Sequence, residues 1–530
     1  MHSAPSVGPR WQRYSLFGAV ALAGALAYAR TLSAPFEFDD FDQILHNPAV
    51  QHPTAQGLVL WGRTRLIPYV TLALNWQVGG DDPLGYHLVN IAIHLLTTFL
   101  VFRLALALCL TPRVRDMPVA ANALPFATAA AVLFACHPIQ IQAVTYIVQR
   151  VTSLAALFYI ATIFLYVTAR NRQQGDAGSG TRAYAASLLC AMGALLCKEN
   201  AATLPLAILM VEWLLEPPGS PRRSVRQWVP FFVPVVVAPL IWLIFWRAPN
   251  RLIMVTGADA TWLEKLLRAA APSGPVSPLA YFLTQCTVIP RYLALVVLPW
   301  GFNVDHDVPM VSGLSMATAG GFLLLAVLLA CGIVARRRWP LISFGILWFF
   351  LTLAVESSFL PLGDAMMEHR MYLPMAGIAI AFGSVFARAY ESRRALSIAG
   401  GLSIAALLIA LTLLRNEVWR SQLDLWTDAL AKSPHKARVH ANLGAFLFDS
   451  GKIDESIPYF CAALDLDPQH PTARGNLQLA VEAQIDRRLE AEDEDVEVIV
   501  DQDGRLVVDL DEICREQRPN RRSGDHTNSD

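Results

Sequence analysis

Twelve apolar runs of 15–24 residues crowd the first 414 positions, and they leave little for the chain to fold into except membrane-spanning helices. A bilayer core needs roughly 17–25 apolar residues per helix, somewhat fewer where flanking side chains snorkel to the interface. The runs lie near 14–30, 86–109, 120–136, 151–169, 183–197, 201–215, 229–247, 278–300, 317–334, 340–355, 372–390 and 395–414. Only 16% of the 530 residues are charged, against about 25% in a soluble protein. Charges are sparse up to 414 and dense beyond it. The expected fold is therefore an all-α polytopic membrane domain over 1–414, followed by a polar C-terminal part. Six cysteines lie in or beside apolar runs, where cysteine acts as a small hydrophobe. Only Cys461 and Cys514 lie in the polar part, so no disulfide framework is expected. The first run follows arginines and lacks a convincing cleavage site, so it reads as a retained anchor.

The run at 278–300 is ambiguous because Pro290 and Arg291 interrupt it. Basic clusters occur at Arg10/Arg13, Arg113/Arg115, Arg170/Arg172/Arg182, Arg222/Arg223/Arg226, Arg336/Arg337/Arg338 and Arg388/Arg393/Arg394. If 278–300 is re-entrant or surface-lying, eleven crossings remain and every cluster falls on the cytoplasmic side. If it crosses, the last two clusters fall outside. Eleven spans are therefore expected in a plasma (inner) membrane, with the N-terminus cytoplasmic. The loop after the first span, His137-Pro138, the segment Lys198-Glu199-Asn200, residues 356–372 and the C-terminal part then face outward.

The outward groups look chemical. Asp39-Asp40 sits about nine residues beyond the first span, and adjacent carboxylates at a membrane surface repel each other and cost desolvation. One carboxylate is suited to take a proton from an attacking hydroxyl and the other to orient the acceptor or raise its partner's pKa. The alternative is a solvated acidic loop. In the same loop, 66–78 is apolar but short and reads as a helix lying at the interface. His137 precedes a helical stretch from Pro138 to Gln149, with Gln142, Thr145/Tyr146, Gln149 and Ser153 spaced as one polar stripe that lines a cavity or packs. Arg150, Lys198 and Arg370 are candidate phosphate contacts, with Glu199, Glu368, His369 and His137 beside them. The bland readings are a Lys198–Glu199 ion pair, an interfacial anchor at Arg370 and a structural His137. A divalent metal would suit the carboxylates, but no ligand spacing demands one.

Pro434 and Pro468 are 34 residues apart, the tetratricopeptide period. Leu443-Gly444, Phe460, Ala463 and Pro468 fall in register, as do Trp426, Ala429 and Pro434 of a preceding half. A repeat region over 415–484 is expected, with an acidic tail over 485–530. The tail alternates enough near 497–500 and 505–510 for a small β-hairpin, and 515–530 reads as disordered.

These motifs together resemble the TMTC (transmembrane and tetratricopeptide repeat) family of protein O-mannosyltransferases, particularly its bacterial relatives. The matching residues are Phe38-Asp39-Asp40 with Ile44-Leu45-His46-Asn47-Pro48, and Gly85-Tyr86-His87-Leu88-Val89-Asn90 with His94. They continue with His137-Pro138-Ile139-Gln140 through Arg150, Lys198-Glu199-Asn200 with Leu204-Pro205, Arg370-Met371-Tyr372-Leu373-Pro374, and the repeat. The resemblance implies a GT-C glycosyltransferase bundle with the acidic pair at its catalytic centre. It also implies a polyprenyl-phosphate sugar donor and a protein or envelope hydroxyl as acceptor. The repeats would bind a protein partner, and nucleic acid is not expected. Two other classes are open: a non-catalytic scaffold recruiting envelope proteins through the repeats, and a transporter of lipid-linked sugar, which would need polar groups at both faces.

Overall fold

A computed structural model describes residues 9–62, 65–173, 180–215, 227–245, 276–490 and 510–517. Among the described residues the chain is helical with no strand, and the protein is an all-α polytopic membrane protein. Seven helices are long and apolar enough to cross a bilayer, or eight if the pair Ala123–Cys136 and Pro138–Val144, bent by 53°, is one span. The principal helices of the membrane part are α1 (Arg10–Ala27), α2 (Leu66–Gly79), α3 (Pro83–Cys109), α4 (Ala123–Cys136), α5 (Arg150–Gln173), α6 (Thr181–Leu195), α7 (Leu204–Leu215) and α8 (Val229–Phe245). They continue with α9 (Pro278–Val297), α10 (Met316–Ala335), α11 (Pro340–Leu353), α12 (Tyr372–Ser392) and α13 (Arg394–Val418). The hydropathy pattern marks eleven of these stretches as spans, leaving out α2 and α9, whereas helix length and apolarity single out seven or eight, α9 among them.

The bundle has two chemically distinct ends. At one, Arg170 forks onto Glu212, with its Nη2 2.6 Å from Oε2, and Tyr166 donates to the same carboxylate at 2.8 Å. Arg336 lies over the Trp213 ring at 4.5 Å and Arg388 over Trp339 at 4.7 Å. At the other end gather residues 34–47, 137–149, 198–203 and 356–371. Helix α9 touches this second end along its length. Tyr281 Oη donates to the Glu356 carbonyl (2.8 Å), Gln285 to Ala365 (2.8 Å) and Tyr292 Oη to Met367 (2.8 Å), while the Val296 carbonyl accepts from His137 (3.0 Å). A helix crossing the bundle would leave these loops after one or two turns. Helix α9 is itself long and apolar enough to span.

Helix starts follow local chemistry. Pro83 occupies the first turn of α3 while the Asp82 carboxylate accepts from the Leu84 amide, and Ser315 and Thr318 form a reciprocal capping box on α10. Helices α11 and α12 cross where Gly345 and Gly377 meet. A Cβ on Gly377 would lie 2.6 Å from Trp348 and 2.7 Å from the Gly345 carbonyl. Small residues allow such backbone approach between membrane helices. Helix α2 packs Pro68, Tyr69, Leu72 and Ala73 inward and leaves Leu74 and Val78 exposed. Tyr69 and Leu72 join Phe36, Ile44, Val50, Tyr86 and Ile147 in a core beneath the acidic loop.

A second compact unit comprises Val418–Asp530 and the short segment Asn303–Asp307. Its helices are α14 (Gln422–Lys432), α15 (Ala437–Asp449), α16 (Ile453–Leu466), α17 (Pro471–Glu490) and α18 (Leu510–Glu516). Gly444 on α15 lets the Phe460 ring of α16 approach, where a Cβ would lie 2.9 Å from the ring. Within this unit, Asp305 is fully buried and held by Lys436 and by both arms of Arg438 at 2.7 and 2.8 Å. Cys461 and Cys514, the two cysteines of the polar part, form a disulfide, Cα–Cα 5.2 Å, that ties α18 to α16. The expected hairpin lies largely outside the described residues. Leu510, its expected last strand residue, instead begins α18, which also includes Arg515 and Glu516 of the expected disordered tail.

Candidate active site

The two aspartates occupy different environments. Phe38 adopts a positive φ of 50°, a conformation that costs a non-glycine residue about 1–3 kcal/mol. Asp39 follows it and is exposed, its amide donating to Tyr146 Oη at 2.9 Å. Asp40 is 1% exposed. Its carboxylate accepts from the Glu37 amide at 3.0 Å and the Val148 amide at 2.8 Å. Burial pushes the Asp40 carboxyl up to about 8, with the charge of Asp39 adding to the push and the two amides opposing it. Asp40 thus fastens the loop to residues 147–148, and Asp39 presents its carboxylate to solvent. A single π turn, Phe41–Leu45, carries the chain away.

The segment after His137 is not the single helix expected. It runs as a 3-10 turn (Pro138–Gln140), a short α turn (Ile141–Val144), a break at Thr145-Tyr146 and another 3-10 turn (Ile147–Gln149). The predicted stripe is therefore dispersed. Gln142 Oε1 accepts from the His369 amide (2.8 Å), Thr145 donates to Asn416 (2.8 Å), Gln149 accepts from Thr152 (2.9 Å) and Ser153 donates to the Arg150 carbonyl (3.3 Å). Each of these side chains is bonded to a different neighbour.

His137 and Arg150 are held by groups of the protein. His137 Nδ1 accepts from the Ile139 amide, so its Nε2–H donates to Val296 O, and both ring nitrogens are used. Arg150 is fully buried. Its Nε donates to Asn90 Oδ1 (2.7 Å), Nη1 to Thr71 O (3.1 Å) and Asn75 Oδ1 (2.6 Å), and Nη2 to Tyr86 O (3.0 Å). Buried at a helix start, a guanidinium must recruit acceptors, and here the protein supplies them.

The remaining charges gather around His369. Lys198 pairs not with Glu199 but with Glu356, at 2.7 Å, and donates to Thr152 at 3.0 Å. Extended backbone at Lys198 (φ −157°, ψ 146°) turns successive side chains to opposite faces, so Glu199 is exposed and takes Arg65 at 3.1 Å. Arg370 is buried and donates to the carbonyls of Asp364 (2.7 Å) and Ala365 (3.1 Å) and to Tyr281 Oη (3.3 Å). Glu368, also buried, begins the same turn. His369 Nδ1 donates to Gln142 Oε1 at 3.1 Å, leaving Nε2 as an acceptor, and the charges of Lys198, Arg370 and Arg65 act on the ring. Sequence reasoning singled out neither Glu356 nor Arg65 as a site group, and read Tyr146 only as part of the polar stripe. A glutamate closing an apolar run, as Glu356 does, is the one signal that points to a buried partner. Among the described residues, no group of three or more His, Cys, Asp or Glu side chains is arranged to hold a metal ion.

Comparison with known proteins adds sequence relatives. Over 84% of its length the chain is 26% identical to "Protein O-mannosyl-transferase F38B6.6" of Caenorhabditis elegans, covering 62% of that protein. It is 27% identical to human "Protein O-mannosyl-transferase TMTC1" over 87% of the chain and 56% of the relative. Mouse "Protein O-mannosyl-transferase TMTC4" is 25% identical over 87% of the chain and 67% of its own length. The chain thus spans between 56% and 67% of the length of these relatives. No family model and no solved structure matches it.

Proposed function

We propose that this chain, TMTC-like in sequence over most of its length, is a membrane glycosyltransferase. In this reading it moves a sugar, mannose by analogy with its relatives, from a polyprenyl-phosphate donor to a hydroxyl of a protein or envelope acceptor. The observation that carries the proposal is the split of the acidic pair. A carboxylate held out to solvent by a strained residue and anchored by a buried neighbour is placed for proton transfer and costs the fold something to keep there. Asp39 takes the acceptor's hydroxyl proton as its oxygen attacks the anomeric carbon from the face opposite the phosphate. The carbon–oxygen bond to phosphate breaks, the phosphate leaves with the bonding pair, and the configuration at the anomeric carbon inverts. Arg370 and Lys198 are the groups we assign to the departing phosphate, with Glu356 holding Lys198.

Orientation follows from two separate observations. The arginine-rich end of the bundle suits the cytoplasmic side of a plasma membrane. The Cys461–Cys514 disulfide suits an oxidising compartment for the repeat unit. We therefore place the acidic loop and the repeats outside, where the repeats would receive a polypeptide.

The test is turnover by the purified full chain in detergent, with labelled polyprenyl-phosphate sugars and hydroxyl acceptors. Removing the base at Asp39 is expected to cut the rate by about 10²–10⁴. No turnover of any donor by the intact protein, or full turnover by Asp39→Asn, would overturn the proposal.

A further inference from the structure

At the arginine-rich end of the bundle, remote from the acidic loop, α1, α4, α12 and α13 enclose a crevice of about 510 Å³. Sites for small ligands run from about 300 to 1,000 Å³. One wall is a ladder of rings along α12, Phe382, Phe386 and Tyr390, with successive centroids 6.4 Å apart. The crevice is apolar along its length and polar at one end only. It closes at Leu133 and Leu408, about one turn short of the point where Thr412 donates to the Cys136 carbonyl at 2.7 Å. At its other end stand Gln12 and Arg394, the guanidinium 5.3 Å from the centre of the Tyr390 ring.

We propose that this crevice is a built site for one anionic phospholipid from the leaflet on the arginine-rich side. Water does not fill an apolar space of this size stably, and an empty one forfeits the dispersion contacts of its walls. Helix α13 needs a filler in particular, since only 17% of its spanning window is buried in protein. The polarity gradient sets the orientation: headgroup at Arg394, acyl chain running towards the middle of the bilayer between Leu133 and Leu408. That is how a phospholipid of this leaflet already lies. A donor presenting its phosphate at the opposite end of the bundle would have to lie the other way. Arg394 offers a planar fork to a phosphodiester, and Arg10, Arg13 and Arg393 are close to Gln12 and Arg394 in sequence, which favours an anionic headgroup.

Native mass spectrometry of the full chain, purified from micelles containing equal phosphatidylglycerol and phosphatidylcholine, tests this. The intact protein should retain one phosphatidylglycerol. Arg394→Glu should lower the bound ratio of phosphatidylglycerol to phosphatidylcholine at least five-fold, whereas Arg337→Glu, an exposed arginine away from the crevice, should not. Ala405→Trp, which fills the crevice, should abolish retention of both lipids; if that variant does not fold, Ala405→Leu should reduce it. Equal ratios for Arg394→Glu and Arg337→Glu, or no lipid on the intact protein, would overturn the assignment.

Discussion

The division of labour between Asp39 and Asp40 makes a sharp prediction about what their substitutions do to folding and to turnover. Asp40 satisfies two buried amides, those of Glu37 and Val148. Asp40→Ala leaves both without acceptors, at about 1–3 kcal/mol each, so the loop should lose about 2–6 kcal/mol. Asp39 is exposed; its backbone amide donates to Tyr146 Oη, and its side chain meets the same hydroxyl, a contact that asparagine retains. Asp39→Asn should therefore change stability by no more than about 0.5 kcal/mol while removing the proton acceptor. Thermal unfolding in detergent reads the first quantity and labelled-sugar transfer the second. Asp40 also sets a pH signature. Its carboxyl is raised to about 8 in the folded protein, so the native state binds a proton that the unfolded chain has already released. Stability from this group is complete below about pH 4 and is lost as pH rises through about 8, after which it levels off. Asp40→Asn should flatten that component, and the difference between wild-type and variant melting curves across pH 6–9 isolates it. An Asp40→Asn protein that melts like wild type at every pH and loses transfer as fully as Asp39→Asn would refute the assignment of separate roles.

Arg150→Ala should destabilise by about 3–5 kcal/mol, because it strands the carbonyls of Thr71 and Tyr86 and the amides of Asn75 and Asn90 that now share one cation, and the loss appears as a lower melting temperature. Gly377→Val should disrupt the crossing of α11 and α12, costing about 1–3 kcal/mol or more, measured the same way, because a Cβ there already meets Trp348 and the Gly345 backbone. Cys514→Ser should destabilise the C-terminal unit by up to about 4 kcal/mol, the loop-closure entropy of a 53-residue separation, read as a lower melting temperature.

Much of the architecture was legible because hydropathy runs and arginine clusters report on the solvent around each segment, and solvent is what decides membrane folding. The gathering of residues 39–40, 137, 198 and 370 at one end follows from counting helices with the positive charges kept to the other. Partnerships were less legible, because they depend on backbone conformation over two or three residues. Lys198 and Glu199 look like a pair until the extended backbone turns them to opposite faces. Gln142, Thr145 and Gln149 look like a stripe until the helix breaks at Tyr146. Segment 303–307, folded into the repeat unit around Asp305, carries no signal in its own composition.

Arg150 shows what would have sharpened the reading. A cation entering a membrane helix must meet its acceptors nearby, and polar residues in otherwise apolar runs are where those acceptors have to be. Asn90 was such a residue, inside the longest apolar run, and it accepts from Arg150 Nε at 2.7 Å. The same reasoning pairs Lys198 with Glu356, each at the edge of an apolar helix, in preference to its neighbour Glu199. Balanced in this way, the buried charges of the polar end find partners within the protein, whereas the Asp39 carboxylate faces water. The strained Phe38 adjoining this exposed carboxylate adds a cost to the fold. The case for Asp39 as the base therefore rests on a cost that stability alone does not explain.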